Sequence, residues 1–196
     1  MPGLPLIHSP VPLERADAVL HPNFFQDADA QFDAVMSAVD WRQEELTLYG
    51  RRIPQPRLSA WYGDAAYAYS GLHLEPRPWP DVLAALRDRM QALAGARFNS
   101  VLANLYRDGS DSMDWHSDDE ASLGPAPVIA SVNLGAARKF QLRRKDDKTD
   151  KQEIHLGGGD VLIMGGRCQA SWQHRVPKTN TAVGARINLT FRLIAG

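Results

Sequence analysis

The chain has 196 residues, 44% of them hydrophobic, and a formal net charge of −1. That apolar content suffices for one packed domain and excludes a wholly disordered chain, while near-neutrality excludes a protein that coats nucleic acid through bulk charge. A single cysteine, Cys168, excludes an internal disulfide and a thiolate metal cluster.

The first fifteen residues show no basic region followed by a sustained apolar core, and apolar runs stay short of the ~18 residues of a membrane span. A cytoplasmic protein with no membrane partner is expected. Residues 27–39, DADAQFDAVMSAV, place Phe32, Val35, Met36 and Val39 at helical spacing behind acids that suit a first turn. The segment ELTLYGRRIP predicts a hairpin with Tyr49 and Gly50 at its tip. Over residues 81–94 a second helix is predicted, with Asp81 as cap, a stripe of Leu83, Leu86, Met90 and Leu93, and Gly95 as its end. After Gly95 the period falls to two. ARFNSVLANLYR, PVIASVNL, KFQLRR, KQEIHL, DVLIM, WQHRV and ARINLTFRLI read as short strands, with RRKDDKTDK as a charged hairpin tip and GGGD as a tight turn. The pattern predicts one α+β domain over 1–196, in which a helical extension (1–95) flanks a double-sheet roll or barrel (96–196).

The segment NLYRDGSDSMDWHSDDE carries His116 and Asp118 two apart at the end of a predicted strand, and His174 lies in a later one. Two imidazoles and one carboxylate that leave coordination positions open make the facial arrangement of non-haem Fe(II) oxygenases, although the same residue types also bind zinc in hydrolases. In ARINLTFRLI, alternation sends Arg186, Asn188, Thr190 and Arg192 to one face and Ile187, Leu189, Phe191 and Leu193 to the other. A strand face with two guanidiniums suits a dicarboxylate such as 2-oxoglutarate, and Asn104 and Tyr106 on the strand before the metal loop add donors.

Taken together, NLYRDGSDSMDWHSDDE, SVNLGAARKFQLRRK, His174 and RINLTFR resemble the AlkB family of nucleic-acid dealkylating dioxygenases over roughly residues 50–194. The resemblance implies a double-stranded β-helix, or jelly roll, with Fe(II) held by His116, Asp118 and His174. It implies 2-oxoglutarate and O2 as co-substrates, Arg192 at the carboxylate near iron, and Arg186, Asn104 and Tyr106 at the distal end. The implied reaction couples decarboxylation of 2-oxoglutarate to hydroxylation of an N-methyl group on a DNA base, with RNA as the alternative substrate, and formaldehyde then leaves. QPRLSAWYGDAAYAYSG resembles the family's base-pocket segment, so Tyr67, Tyr69, Ser70, Asp119 and Glu120 become expected substrate contacts, with Tyr69 standing where Phe is frequent.

Further expectations follow from that substrate. Asp119 or Glu120 favours a cationic base, Tyr49 wedges into a duplex from the hairpin tip, and Arg51 and Arg52 hold flanking phosphates. Arg57, Arg138, Lys139, Arg143, Arg144 and Lys145 are expected to complete a phosphate-binding rim, and the protein is expected to act as a monomer. The alternatives are an oxygenase of RNA, protein or a small molecule, a zinc-dependent hydrolase, and a binding module of the same fold.

Overall fold

The computed structural model describes residues 9–48, 51–69 and 72–195, with backbone alone for 46–48, 67–69 and 72–74. In chain order the elements are β1 (Val11–Leu13), β2 (Ala18–His21), α1 (Ala28–Ala38), β3 (Glu45–Leu48), β4 (Arg51–Pro54) and β5 (Leu58–Gly63). Next come β6 (Tyr67–Tyr69), β7 (Leu72–Leu74), α2 (Asp81–Ala94), β8 (Ser100–Tyr106), β9 (Met113–His116) and β10 (Ile129–Gly135). The chain ends with β11 (Arg138–Arg144), β12 (Lys151–Leu156), β13 (Val161–Met164), α3 (Gly166–Ser171), β14 (Trp172–Val176) and β15 (Arg186–Arg192).

Two antiparallel sheets face each other as a jelly roll. The larger runs β1-β2-β13-β10-β15-β8-β5, and the smaller runs β12-β11-β14-β9. Two hairpins, β3-β4 and β6-β7, stand apart from both. The larger sheet takes β1, β2 and β5 from before residue 95, so sheet membership does not follow the division into an extension and a core. Strands β1 and β2 span only three and four residues, too few for a periodic signal, and antiparallel pairing with their neighbours fixes them in the sheet.

The helices pack on the outer face of the larger sheet. Leu83, Leu86 and Met90 of α2 and Val35 of α1 are buried with Ile187, Leu189 and Phe191 of β15 in one core. Truncating a side chain such as Leu83, fully buried at 0% exposure, to Ala costs about 2–5 kcal/mol. Gly95 ends α2 in the left-handed conformation (φ 60°), as the spacing predicts. Asp81 does not cap: Pro80 occupies the N-cap, and Asp81 is the first helical residue, where its charge still meets the helix dipole. A second core lies between the sheets, with Phe140, Leu142, Leu156, Leu162 and Trp172. No helix among the described residues is long and apolar enough to cross a membrane.

The hairpin β3-β4 pairs Leu48 with Arg51, as ELTLYGRRIP predicts; Tyr49 and Gly50 lie outside the described residues. The other predicted turns are present as well: Asp150 pairs back to Arg144 across the charged tip between β11 and β12, and Gly159 (φ 92°) sits in the GGGD turn.

Gly135 ends β10 directly opposite Arg186, with φ at 80°. A Cβ there would lie 2.5 Å from the Ala185 carbonyl oxygen and 2.8 Å from the Phe32 ring. Backbone cannot give way cheaply, and an L side chain is strained at this φ. Gly135→Ala is therefore expected to cost about 1–3 kcal/mol and to lower the melting temperature, measured by scanning calorimetry. An unchanged melting temperature would show that the β10 terminus is free to move.

Candidate active site

The smaller sheet carries two of the three clustered ligands on directly opposed strands. His116 ends β9 and faces His174 of β14, with ring centroids 4.2 Å apart. Asp118 comes two residues later, beyond the end of β9, where the chain turns inward. The ligand atoms of His116, Asp118 and His174 all lie within 4.8 Å of one another. Nδ1 of His116 donates to the Asp114 carbonyl at 2.8 Å, because a carbonyl can only accept. That bond leaves the His116 Nε2 lone pair for a metal. On the other side, Nε2 of His174 stands 3.9 Å from Asp118 Oδ2.

The Asp118 carboxylate is divided between two tasks. Its Oδ1 accepts from Arg192 Nη2 at 2.7 Å, with both side chains buried, which leaves Oδ2 facing the imidazoles. Burial raises the Asp118 pKa, but the Arg192 guanidinium and the two imidazoles overcome it and hold the group at about 2. Burial likewise pushes the His174 imidazole down to about 3 and lowers that of His116. Two neutral imidazoles and an ionised carboxylate are the state a divalent first-row cation requires of its ligands.

The loop that holds Asp118 is tied from behind to α3 and β14. Gln169, 1% exposed, accepts from the Asp118 backbone N–H through Oε1 at 2.8 Å. Ser117 Oγ donates to the Trp172 carbonyl at 3.0 Å, and Lys145 Nζ bridges the Gln169 carbonyl and Asp119 Oδ2 at 2.7 and 2.8 Å. These bonds fix the distance between the loop and the strand that carries His174. Sequence reasoning missed Gln169, which sits in a helix too short for any periodic signal.

A cavity of about 350 Å³ opens beside the three ligands. The polar face of β15 lines it with Arg186, Asn188, Thr190 and Arg192, and β8 adds Asn104 and Tyr106, as alternation predicts. Register explains the grouping: Arg186 lies opposite Tyr106, and Asn188 lies opposite both Asn104 and Asn133. Arg186 is 1% exposed, and its Nη2 donates to Asn133 Oδ1 at 2.5 Å. Its Nε and Nη1 are buried and meet no acceptor among the described residues, and its Cζ lies 5.0 Å from the Tyr106 ring centroid. A buried cation with two unspent donors on a cavity wall fits one end of a bound carboxylate. Arg57, Leu102, Ser131, Phe140 and Met164 also line the cavity. Ser131 could have been found in PVIASVNL, where Ser131 and Asn133 are polar at alternate positions.

The expected substrate contacts divide. Asp119 and Glu120 border the cavity, and Asp119 is paired with Lys145. Arg51 and Arg52 lie on the exposed strand β4, where Arg52 pairs with Glu45. Tyr67 and Tyr69 belong to β6 by their backbone, while their side chains, like Tyr49 and Ser70, lie outside what is described. The expected phosphate rim needs correction. Arg57 is 2% exposed and donates to Asn104 Oδ1 inside the cavity. Arg138 is buried and clamps the carbonyls of Asp108, Asp111 and Pro177. Lys139 and Arg144 spend their charge on Glu153 and Asp146. The common cause is local competition: the Asn104 amide, backbone carbonyls and neighbouring acids hold these cations.

Two measurements test the ligand geometry. The unfolded chain takes up protons on imidazole near the ordinary value of about 6.5, whereas folded His174 resists until about 3. The metal-free protein is therefore expected to lose stability progressively as pH falls from about 6.5 towards 3. Melting temperatures from pH 7.5 to 4.5 check this, and a His174→Asn variant should flatten the slope. Separately, Gln169→Met removes the acceptor at nearly constant volume and is expected to weaken Co(II) binding by about tenfold. A Co(II) titration of metal-free protein that gives the parent affinity would remove Gln169 from this role.

Comparison with known proteins agrees with the geometry. A family model described as the 2OG-Fe(II) oxygenase superfamily matches residues 17–192. The chain is 44% identical over 186 residues to alpha-ketoglutarate-dependent dioxygenase alkB homolog 3 of Homo sapiens, covering 89% of this chain and 65% of that protein. It is 45% identical to the Rattus norvegicus alkB homolog 3, of which it covers 63%. The chain thus spans somewhat less than two thirds of these relatives. It is also 37% identical over 180 residues to DNA oxidative demethylase ALKBH2 of Homo sapiens, covering 86% of this chain and 69% of that protein. The solved structure of OsALKBH1 superposes with a TM-score of 0.62 at 20% identity, over 94% of this chain and 99% of that one, which shows the shared fold. Members of the matched superfamily use Fe(II), 2-oxoglutarate and O2, and the His116, Asp118 and His174 cluster is a set of residues that could hold such an ion. On the extent of these matches, the chain belongs to the AlkB family within the 2OG-Fe(II) oxygenase superfamily.

Proposed function

We propose that this protein oxidatively demethylates N-alkylated bases in DNA, with RNA as a second substrate, in a reaction dependent on Fe(II), 2-oxoglutarate and O2. One observation carries the reading: a preset His-Asp-His cluster opens onto a cavity whose wall holds the buried, partly unsatisfied cation Arg186. A hydrolase has no use for a second anion clamp beside its metal. The names of the relatives, DNA oxidative demethylase among them, support the nucleic-acid substrate.

Bound together, Fe(II) and 2-oxoglutarate supply O2 activation that hydroxylates an N-methyl carbon, with succinate and CO2 as co-products; the unstable hydroxymethyl group then leaves as formaldehyde. The chain's own residues position the reactants. His116, Asp118 and His174 would hold the metal from one side and leave the cavity side open. Arg186 offers its unspent donors to the distal carboxylate, with Tyr106 beside it and Asn133 fixing Nη2. Arg192 keeps Asp118 ionised and restricts it to one ligating oxygen. Asn188 donates to Ser131 Oγ and accepts from Thr190 Oγ1, so the cavity floor has a defined hydrogen-bond direction. Asp119 lies on the cavity border but is paired with Lys145, so Glu120 is the bordering acid that would favour the positive charge of a methylated base.

Turnover tests the proposal. The protein supplied with Fe(II), 2-oxoglutarate and single-stranded DNA methylated on base nitrogens is expected to yield succinate and formaldehyde in equal amounts. His116→Ala, Asp118→Ala and His174→Ala are each expected to abolish the yield with the fold retained by circular dichroism. Arg186→Lys should raise the KM for 2-oxoglutarate about tenfold or more through loss of the planar donor set. Succinate without formaldehyde from any methylated DNA or RNA would redirect the reading to a protein or small-molecule substrate, and no succinate would end it.

A further inference from the structure

On the outer face of the smaller sheet, alternation places Lys139, Gln141 and Arg143 of β11, Gln173 and Arg175 of β14, and Trp115 of β9. His116 faces inward to His174, so Trp115, one residue earlier, faces out. The Arg143 guanidinium lies 4.1 Å from the Trp115 ring centroid and that of Arg175 lies 4.5 Å from it. Two like charges therefore share one indole. Among the described residues neither meets a carboxylate. Nε and Nη2 of Arg143 donate to Gln173 Oε1 at 3.0 and 2.9 Å, and Nε of Arg175 donates to Gln141 Oε1 at 2.7 Å.

The contrast with the neighbouring cations is informative. Lys139, Arg144, Lys145 and Arg52 are each neutralised by an acid within 2.8 Å. The Trp115 pair keeps its charge, and amide oxygens and the ring hold both guanidiniums in place. Arg175 also borders the cavity, and β9 is the edge strand of its sheet. Arg175 thus joins the outer-face pair to the border of the cavity.

We propose that Arg143 and Arg175, organised on Trp115, form a phosphodiester-binding site for the nucleic-acid strand next to the nucleotide in the cavity. The inference rests on the nucleic-acid reading above. The amide partners orient the guanidiniums without spending their charge, and each retains free N–H groups for a phosphate oxygen. Such contacts position the strand and read no sequence.

The test is the salt dependence of binding. An unmodified, labelled single-stranded DNA oligonucleotide is titrated with the parent and with Arg143→Gln/Arg175→Gln at several salt concentrations. Each phosphate contact on a single strand contributes about 0.7 to the slope of log affinity against log salt. The double variant is expected to lose about 1.4 from that slope and about tenfold in affinity near 0.1 M salt, alike on oligonucleotides of different sequence. Arg143→Lys/Arg175→Lys keeps the charges and is expected to keep the slope. If the glutamine double variant does not fold, each single variant should lose about 0.7. Parent binding with an unaltered slope in the glutamine variants overturns the site alone, while a parent that binds no nucleic acid overturns the substrate reading with it.

Discussion

Strand β15 is buried on both faces, and the rest of the molecule is arranged around that constraint. Its odd-numbered residues, Ile187, Leu189 and Phe191, seal the core under the two helices. Its even-numbered residues, Arg186, Asn188, Thr190 and Arg192, are equally buried but polar, so the fold must supply partners or leave room for a ligand. It does both. Asn188 and Thr190 are satisfied internally, Arg192 is paired with Asp118, and Arg186 retains unsatisfied donors on a cavity wall.

The Arg192 to Asp118 pair links the two sheets and the two halves of the site. Burial of a carboxylate is costly, and here the cost is offset chiefly by a guanidinium from the opposite sheet. Because Arg192 hydrogen-bonds Oδ1, Oδ2 is the oxygen left facing the His174 imidazole, where it would be the one to hold a metal. Gln169 and Lys145 complete this arrangement from outside by holding the loop that Asp118 stands on.

Surface electrostatics follow a different rule from the interior. Several exposed cations are met by an acid a short distance away in sequence or across a strand pair, as with Arg144 and Asp146 or Lys139 and Glu153. A near-neutral chain can still present positive potential where a cation's neighbours are amides and aromatic rings. Arg143 and Arg175 on Trp115 have such neighbours.

Much of the site was legible in the sequence because its parts obey strict periods. The two-residue alternation of ARINLTFR separates core from cavity on periodicity alone, and His-x-Asp at a strand end signals a shared ligand direction. Helices 28–38 and 81–94 follow equally from apolar spacing. What lacks a period was hidden: β1, β2 and β5 joining the larger sheet, the capture of Arg57 and Arg138 indoors, and Gln169 beneath Asp118. The sequence by itself determined which residues alternate, which can ligate, and which segments fold locally. The tertiary structure alone decided which cations keep their charge and which loops are tied together, because those outcomes depend on neighbours far apart in the chain and brought near only by sheet register.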